Sequence, residues 1–232
     1  MSDREMIVLD DPAAEAAERL AAAADAGGHI ALSGGSTPQR AYEQAAELEA
    51  DWSHATLWFG DERCVPPEHE QSNFGMARRT LLSRLGAGAD APEVRRMEGE
   101  KGAQEGAAAY ENALREEFGD AAPRLDLVLL GIGSDMHTAS LFPGDDALGA
   151  EGRYATGVET PGMAPLVPRI TLTLAAINAA REVVFLIAGD DKAEAVARAF
   201  GDAPGPHAPA SLVRPDAGNL TLLLDPAAAA RL

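Results

Sequence analysis

The chain predicts an α/β fold: three αβα layers around a mainly parallel, Rossmann-like sheet. Two observations carry that reading. Short apolar runs at residues 29–32, 56–60, 125–130 and 182–188 are bounded by glycines or charged residues, as strands buried on both faces should be. Alanine-rich or amphipathic stretches of helical length separate them, and strands alternating with helices build parallel sheets. No internal repeat and no compositional break divides the chain, so one domain over residues 1–232 is expected.

In order, residues 6–9 are a strand candidate. Asp10 or Asp11 caps a helix over 12–26, with Pro12 in its first turn and Gly27-Gly28 at its end. The strand 29–32 runs into Ser33-Gly34-Gly35-Ser36-Thr37-Pro38. There Ser36 and Thr37 supply a cap, and Pro38 fits the first position of a helix to about residue 49. The strand 56–60 ends in the charged loop Asp61-Glu62-Arg63, either solvated or part of a site; as a third strand–helix junction at one end of the sheet it is read as site residues. Ser72-Asn73 start a helix to about 84, residues 86–92 are loop, 94–97 a short strand and 104–118 an amphipathic helix.

The strand 125–130 leads into Gly131 and Gly133, then Asp135 and His137, with a turn or short helix over 138–140. Residues 145–168 read as surface loop with an edge strand near 154–158. Residues 168–174 alternate as a half-buried strand should, and a helical turn follows over 175–180. The strand 182–188 ends in Gly189-Asp190-Asp191-Lys192 at the start of a helix to 200. Residues 201–209 are a Pro/Gly loop and 220–224 the last strand.

Bulk properties exclude several classes. The net charge is −18 over 232 residues, which repels phosphate backbones and anionic membranes. No apolar run reaches the ~20 residues of a membrane helix. The first ten residues, MSDREMIVLD, lack a signal pattern, so a cytoplasmic protein is expected. Cys64 is the one cysteine, so no intrachain disulfide or cysteine metal cage can form. Lys101 and Lys192 are the only lysines among 19 basic residues. Codon bias toward Ala, Gly, Arg and Pro explains that skew more simply than adaptation to salt.

Two segments carry chemistry. Asp135 and His137, two residues apart beyond the carboxyl end of a strand, suit an orienter and a general base. The turn at 33–38 offers amides and the positive end of a helix to an anion; an ordinary capped turn is the competing reading, at even odds. It is not a Walker loop, and Met136 stands where the dinucleotide fingerprint needs a third glycine. NAD is therefore not implied.

The chain resembles the 6-phosphogluconolactonase family. The resemblance rests on SGGSTP at 33–38, DER at 61–63 with Val65-Pro66 and Ser72-Asn73, and GIGSDMHTASLFPG at 131–144. It rests further on RITLTLAAIN at 169–178, FLIAGDDKAEAV at 185–196 and Pro209 to Val213. It implies hydrolysis of 6-phospho-D-glucono-1,5-lactone to 6-phosphogluconate in the oxidative pentose phosphate pathway, with no metal or organic cofactor. It also implies the fold shared with glucosamine-6-phosphate deaminase. His137 would be the base and Asp135 its partner. Gly34, Gly35, Ser36, Thr37, Asp61, Arg63, Arg169 and Lys192 would hold the substrate and its phosphate. The partner implied is a small sugar-phosphate lactone, with no nucleic acid and no membrane, for a monomer or small homo-oligomer.

One position departs: the family has glycine where Met136 stands. A methionine there carries a backbone cost if φ is positive, and would narrow the pocket. Two alternatives stay open. A deaminase-like enzyme is disfavoured because its motif carries Asn-Glu-Pro where this chain has Ser140-Leu141-Phe142-Pro143. A non-catalytic sugar-phosphate sensor is favoured only by Met136.

Overall fold

A computed structural model describes residues 4–202 and 208–232; part of the loop expected at 201–209 lies outside them. The elements are β1 (Arg4–Val8), α1 (Pro12–Asp25), β2 (His29–Leu32), α2 (Ser36–Ala45), β3 (Thr56–Phe59), β4 (Asp61–Arg63) and α3 (Asn73–Thr80). They continue with β5 (Glu93–Val94), α4 (Ala103–Phe118), β6 (Leu127–Leu130), β7 (Ala155–Val158), β8 (Arg169–Leu172) and α5 (Leu174–Asn178). The last are β9 (Glu182–Ile187), α6 (Ala193–Phe200) and β10 (Asn219–Leu224).

Seven strands form one parallel sheet in the order β1-β10-β9-β6-β2-β3-β5. Helices flank it, giving the three αβα layers; α1 packs on α2 and on β2, β9 and β10. After β2 the chain builds toward β5, and after β6 it builds toward β1. The order therefore reverses between β2 and β6, and a crevice opens at their carboxyl ends. The residues after β2 are Ser33-Gly34-Gly35, and those after β6 are Gly131-Ile132-Gly133.

Two buried tyrosines finish strands where the ladder stops. Tyr42 on α2 donates to the Ser33 carbonyl and accepts from the Ser33 amide, each at 2.8 Å. Tyr110 on α4 accepts from the Phe59 amide at 2.8 Å and donates to the Phe59 carbonyl at 3.1 Å. Backbone groups buried at a splaying strand end need such partners.

The charged triplet after β3 is not a loop. Asp61–Arg63 is a strand of a second, three-stranded antiparallel sheet, in the order β4-β8-β7. Gly60 is the crossing point: its amide donates to Leu32 of the large sheet and its carbonyl accepts from Leu172 of the small one, each at 2.8 Å. The triplet pairs because β8 offers an open ladder just beyond that crossing.

β8 also departs from expectation. All four of its residues are buried, rather than alternate ones, because it is the central strand of its sheet and α4 packs against it and β7. Three helix ends differ too. Gly35 is the N-cap of α2, so Pro38 sits two positions further in than expected, and neither Ser36 nor Thr37 caps. Asp11 is the N-cap of α1 without capping it; its carboxylate instead accepts from Arg40 at 2.7 Å and Gln44 at 3.2 Å on α2. α3 stops at Thr80 because fully buried Leu81 leaves helical geometry, although Ser72 caps its start as expected through the Gly75 amide.

Candidate active site

The cleft lies over the reversal point. One part, about 260 Å³, is lined by residues including Gly34, Gly35, Asp61, Arg63, Gly131, Gly133, His137, Arg169 and Lys192. A second, about 150 Å³, shares Gly34, Gly35, Gly131, Ile132 and Lys192 with it and adds Ser36 and Thr37. Of the residues expected at the site, only Asp135 does not line these walls. It lies behind His137 and holds it.

The loop after β6 is cross-linked from end to end. Asp135 Oδ1 is 2.5 Å from His137 Nδ1 and accepts the His137 amide at 3.1 Å. The Gly133 amide donates to the His137 carbonyl, and the Met136 amide to the Gly133 carbonyl, each at 2.9 Å. Thr138 Oγ1 donates to the Gly131 carbonyl at 2.9 Å. A turn closed by the Leu141 amide on Thr138 follows, not a helix. The Phe142 ring lies 4.5 Å from the imidazole. A Cβ on Gly133 would fall 2.1 Å from His137 Nδ1, so only glycine fits beside the pair.

An imidazole whose Nδ1–H is engaged by a carboxylate presents Nε2 as its basic atom. Burial pushes the Asp135 carboxyl up, but hydrogen bonds from the His137 side chain and amide outweigh it, leaving Asp135 below the usual carboxylate range.

Met136 has φ 68° and Ala139 φ 49°, so both residues flanking His137-Thr138 occupy the left-handed region. That costs about 1–2 kcal/mol each. Met136 recovers it: its side chain is 4% exposed in the core, a burial worth roughly 1.5–3 kcal/mol. The backbone cost expected of methionine is present, and the expected narrowing is not, since Met136 does not line the cleft.

The cations line the same cleft as His137, and the Arg169 guanidinium lies over the Phe142 ring at 6.0 Å. Arg63 and Arg169 are direct cross-strand partners on β4 and β8, and both line the cleft. Like charges placed so destabilise a sheet. Arg169 is 4% exposed; its Nη2 and Nε donate to the carbonyls of Pro165 and Val167 at 2.8 and 3.1 Å. Burial holds its guanidinium below the ordinary range, Asp61 opposes that, and Arg63 adds to it. Arg63 donates through Nη1 to the Gln71 carbonyl at 2.6 Å, while its buried Nε has no partner among the described residues. Lys192 Nζ is 3.3 Å from Asp191.

Asp61, expected to touch substrate, lines the cleft with both carboxylate oxygens engaged. Oδ1 accepts from Asn73 at 3.1 Å and Oδ2 from Ser140 at 2.6 Å. Glu62, between the two cleft residues, turns away to accept from the amides of Arg63, Asn73 and Phe74 and from Ser72 Oγ. Met163 and Ala164 also line the cleft; they fall in a stretch that reads as surface loop, and no local signal marks them. Among the described residues no group of three or more His, Cys, Asp or Glu side chains is placed to hold a metal ion. No helix there is long and apolar enough to cross a membrane.

The profile of the glucosamine-6-phosphate isomerases/6-phosphogluconolactonase family matches residues 5–222. The chain is 41% identical over 208 residues to 6-phosphogluconolactonase of Nostoc sp., covering 88% of this chain and 84% of that one. Its structure resembles 6-phosphogluconolactonase from Trypanosoma cruzi with a TM-score of 0.86 at 31% identity, covering 100% of this chain and 98% of that one. A monomeric glucosamine-6-phosphate deaminase shares the fold, with a TM-score of 0.82 at 20% identity over 99% and 100% of the two chains. With a profile match over nearly its whole length, the chain belongs to the glucosamine-6-phosphate isomerase/6-phosphogluconolactonase family.

Proposed function

We propose that this protein hydrolyses 6-phospho-D-glucono-1,5-lactone to 6-phospho-D-gluconate, the lactonase step of the oxidative pentose phosphate pathway. The observation that carries the proposal is one cleft lined both by a carboxylate-oriented imidazole and by the two guanidiniums of a cross-strand pair. A lactone with a phosphate at its far end needs both.

His137 takes a proton from water as the water oxygen attacks C1. The carbonyl oxygen becomes an oxyanion. As the C1–ring-oxygen bond breaks, His137 returns the proton to the departing oxygen, so the base is regenerated. Such proton transfer is typically worth about 10²–10⁴-fold. The Gly133 amide is already spent on His137, so the oxyanion falls to the remaining amides of residues 131–134. Asp135 fixes the tautomer. The phosphate, a dianion entering a protein of net charge −18, is held by Arg63, Arg169 and Lys192, whose short-range attraction outweighs the screened general field. Gly34, Gly35, Ser36 and Thr37 add amides and hydroxyls at the start of α2. The one-domain reading is supported by a hydrophobic core that takes in residues of both sheets. The same reading carries a cytoplasmic enzyme, free of cofactor and nucleic acid, working as a monomer or small homo-oligomer.

The test is an assay in which a dehydrogenase generates the lactone and acid release is followed against the spontaneous rate. Acceleration is expected. Binding of the product 6-phosphogluconate without acceleration would leave a sensor, and ammonia release from glucosamine 6-phosphate would make the protein a deaminase.

A further inference from the structure

Asp61 and Thr171 are direct cross-strand partners on β4 and β8, and both bind one residue of the base loop, Ser140. Ser140 Oγ donates to Asp61 Oδ2 at 2.6 Å, and the Ser140 amide donates to Thr171 Oγ1 at 3.1 Å. Ser140 is fully buried, three residues after His137. It is a point at which the loop carrying the imidazole is hydrogen-bonded to the small sheet.

The next cross-strand pair on the same face, two residues along, is Arg63 and Arg169. Side chains at i and i+2 share a face, and the step is about 7 Å along the strand. One face of one small sheet thus holds the base loop at one pair of positions and presents the two guanidiniums at the next. Asn73, whose side chain donates to the Asp61 carbonyl at 2.8 Å and to Oδ1 at 3.1 Å, fixes Asp61 from the first turn of α3. Arg169 Nη1 reaches Asp61 Oδ2 at 3.9 Å.

We propose that Asp61 and Ser140 are a positioning pair: they set the separation between His137 and the Arg63–Arg169 pair, so that a substrate gripped at its phosphate presents C1 to the base. In this scheme Asp61 acts through Ser140, with Oδ2 accepting from Ser140 and Oδ1 from Asn73. The inference rests on the lactonase reading, and the two fail separately: a wild-type protein that does not accelerate lactone hydrolysis removes the reading, whereas the variants below test the pair in an active enzyme.

Ser140→Ala, Asp61→Asn and the double variant would be assayed for kcat, KM and product inhibition by 6-phosphogluconate, well below each melting temperature. A misplaced reacting group can cost up to about 100-fold, and loss of one tether of several should lower kcat about tenfold. KM and the product inhibition constant should stay within about twofold of wild type, because the cations remain. The double variant should be no slower than the slower single, the non-additivity of residues in one network. Three results would overturn the proposal. Asp61→Asn could raise KM tenfold with kcat kept, which is direct substrate contact. The two effects could multiply, which is independence. Melting temperatures could fall while kcat of the folded protein holds, which is a structural role alone.

Discussion

The two glycine-bearing junctions that face each other across the cleft are built on opposite plans. At the turn after β2, Gly35 with φ 111° is the cap of α2, and no side chain caps the helix. What it offers a ligand is backbone amides and the hydroxyls of Ser36 and Thr37. In the loop after β6, most residues from 131 to 141 are engaged by a side chain or a turn bond, and two non-glycine residues are held at positive φ. What it offers is one imidazole at a fixed place. Gripping an anion tolerates many arrangements of donors, while proton transfer at C1 does not. Under the roles proposed above, the difference in cross-linking follows the difference in tolerance.

That contrast predicts a division between kcat and KM. His137→Ala should lose about 10²–10⁴-fold in kcat with KM little changed, the usual worth of general base catalysis; a loss under tenfold would place the base elsewhere. Gly133→Ala, whose Cβ would fall 2.1 Å from His137 Nδ1 and 2.6 Å from Asp135 Oδ1, should cost about 100-fold in kcat through displacement of the ring. Lys192→Ala, on the gripping side, should raise KM about ten- to 100-fold with kcat nearly kept, the scale of one charged hydrogen bond. Small, equal effects from His137→Ala and Lys192→Ala would erase the contrast.

The mildest effect concerns acid stability. Asp135 titrates below its ordinary value of 3.8, so in the unfolded chain it takes up its proton at higher pH than in the folded protein. The stability it contributes is complete above about 3.8 and lost as pH falls through the lower folded value. Urea midpoints of wild type minus Asp135→Asn, measured down that pH range, should converge at the acid end. A flat difference would mean the carboxylate is not held by His137.

How much of this was legible in the residues differs between the sheets. The large sheet announced itself because strands such as Leu127–Leu130, buried throughout, leave an unbroken apolar run between a charged residue and a glycine. The small sheet did not. Asp61-Glu62-Arg63 carries three charges in a strand of three residues, and its pairing depends on β8, more than a hundred residues away. No local pattern encodes such a partner. Ser140 and Asn73 were hidden for the same reason: their hydrogen bonds join segments that only the fold brings together. His137, Asp135 and the turn at 33–38 were visible because each lies just past a strand whose carboxyl end faces the crevice.

The cross-strand guanidiniums of Arg63 and Arg169 make the unliganded protein responsive to the anions dissolved around it. An anion bound beside both would relieve their repulsion in the folded state only, and so would raise the melting temperature by mass action. Phosphate should do this more than chloride at matched ionic strength, and should slow turnover as it does so. The choice of buffer thus becomes a variable of the enzyme: stability gained from inorganic phosphate is lost again as occupancy of the site.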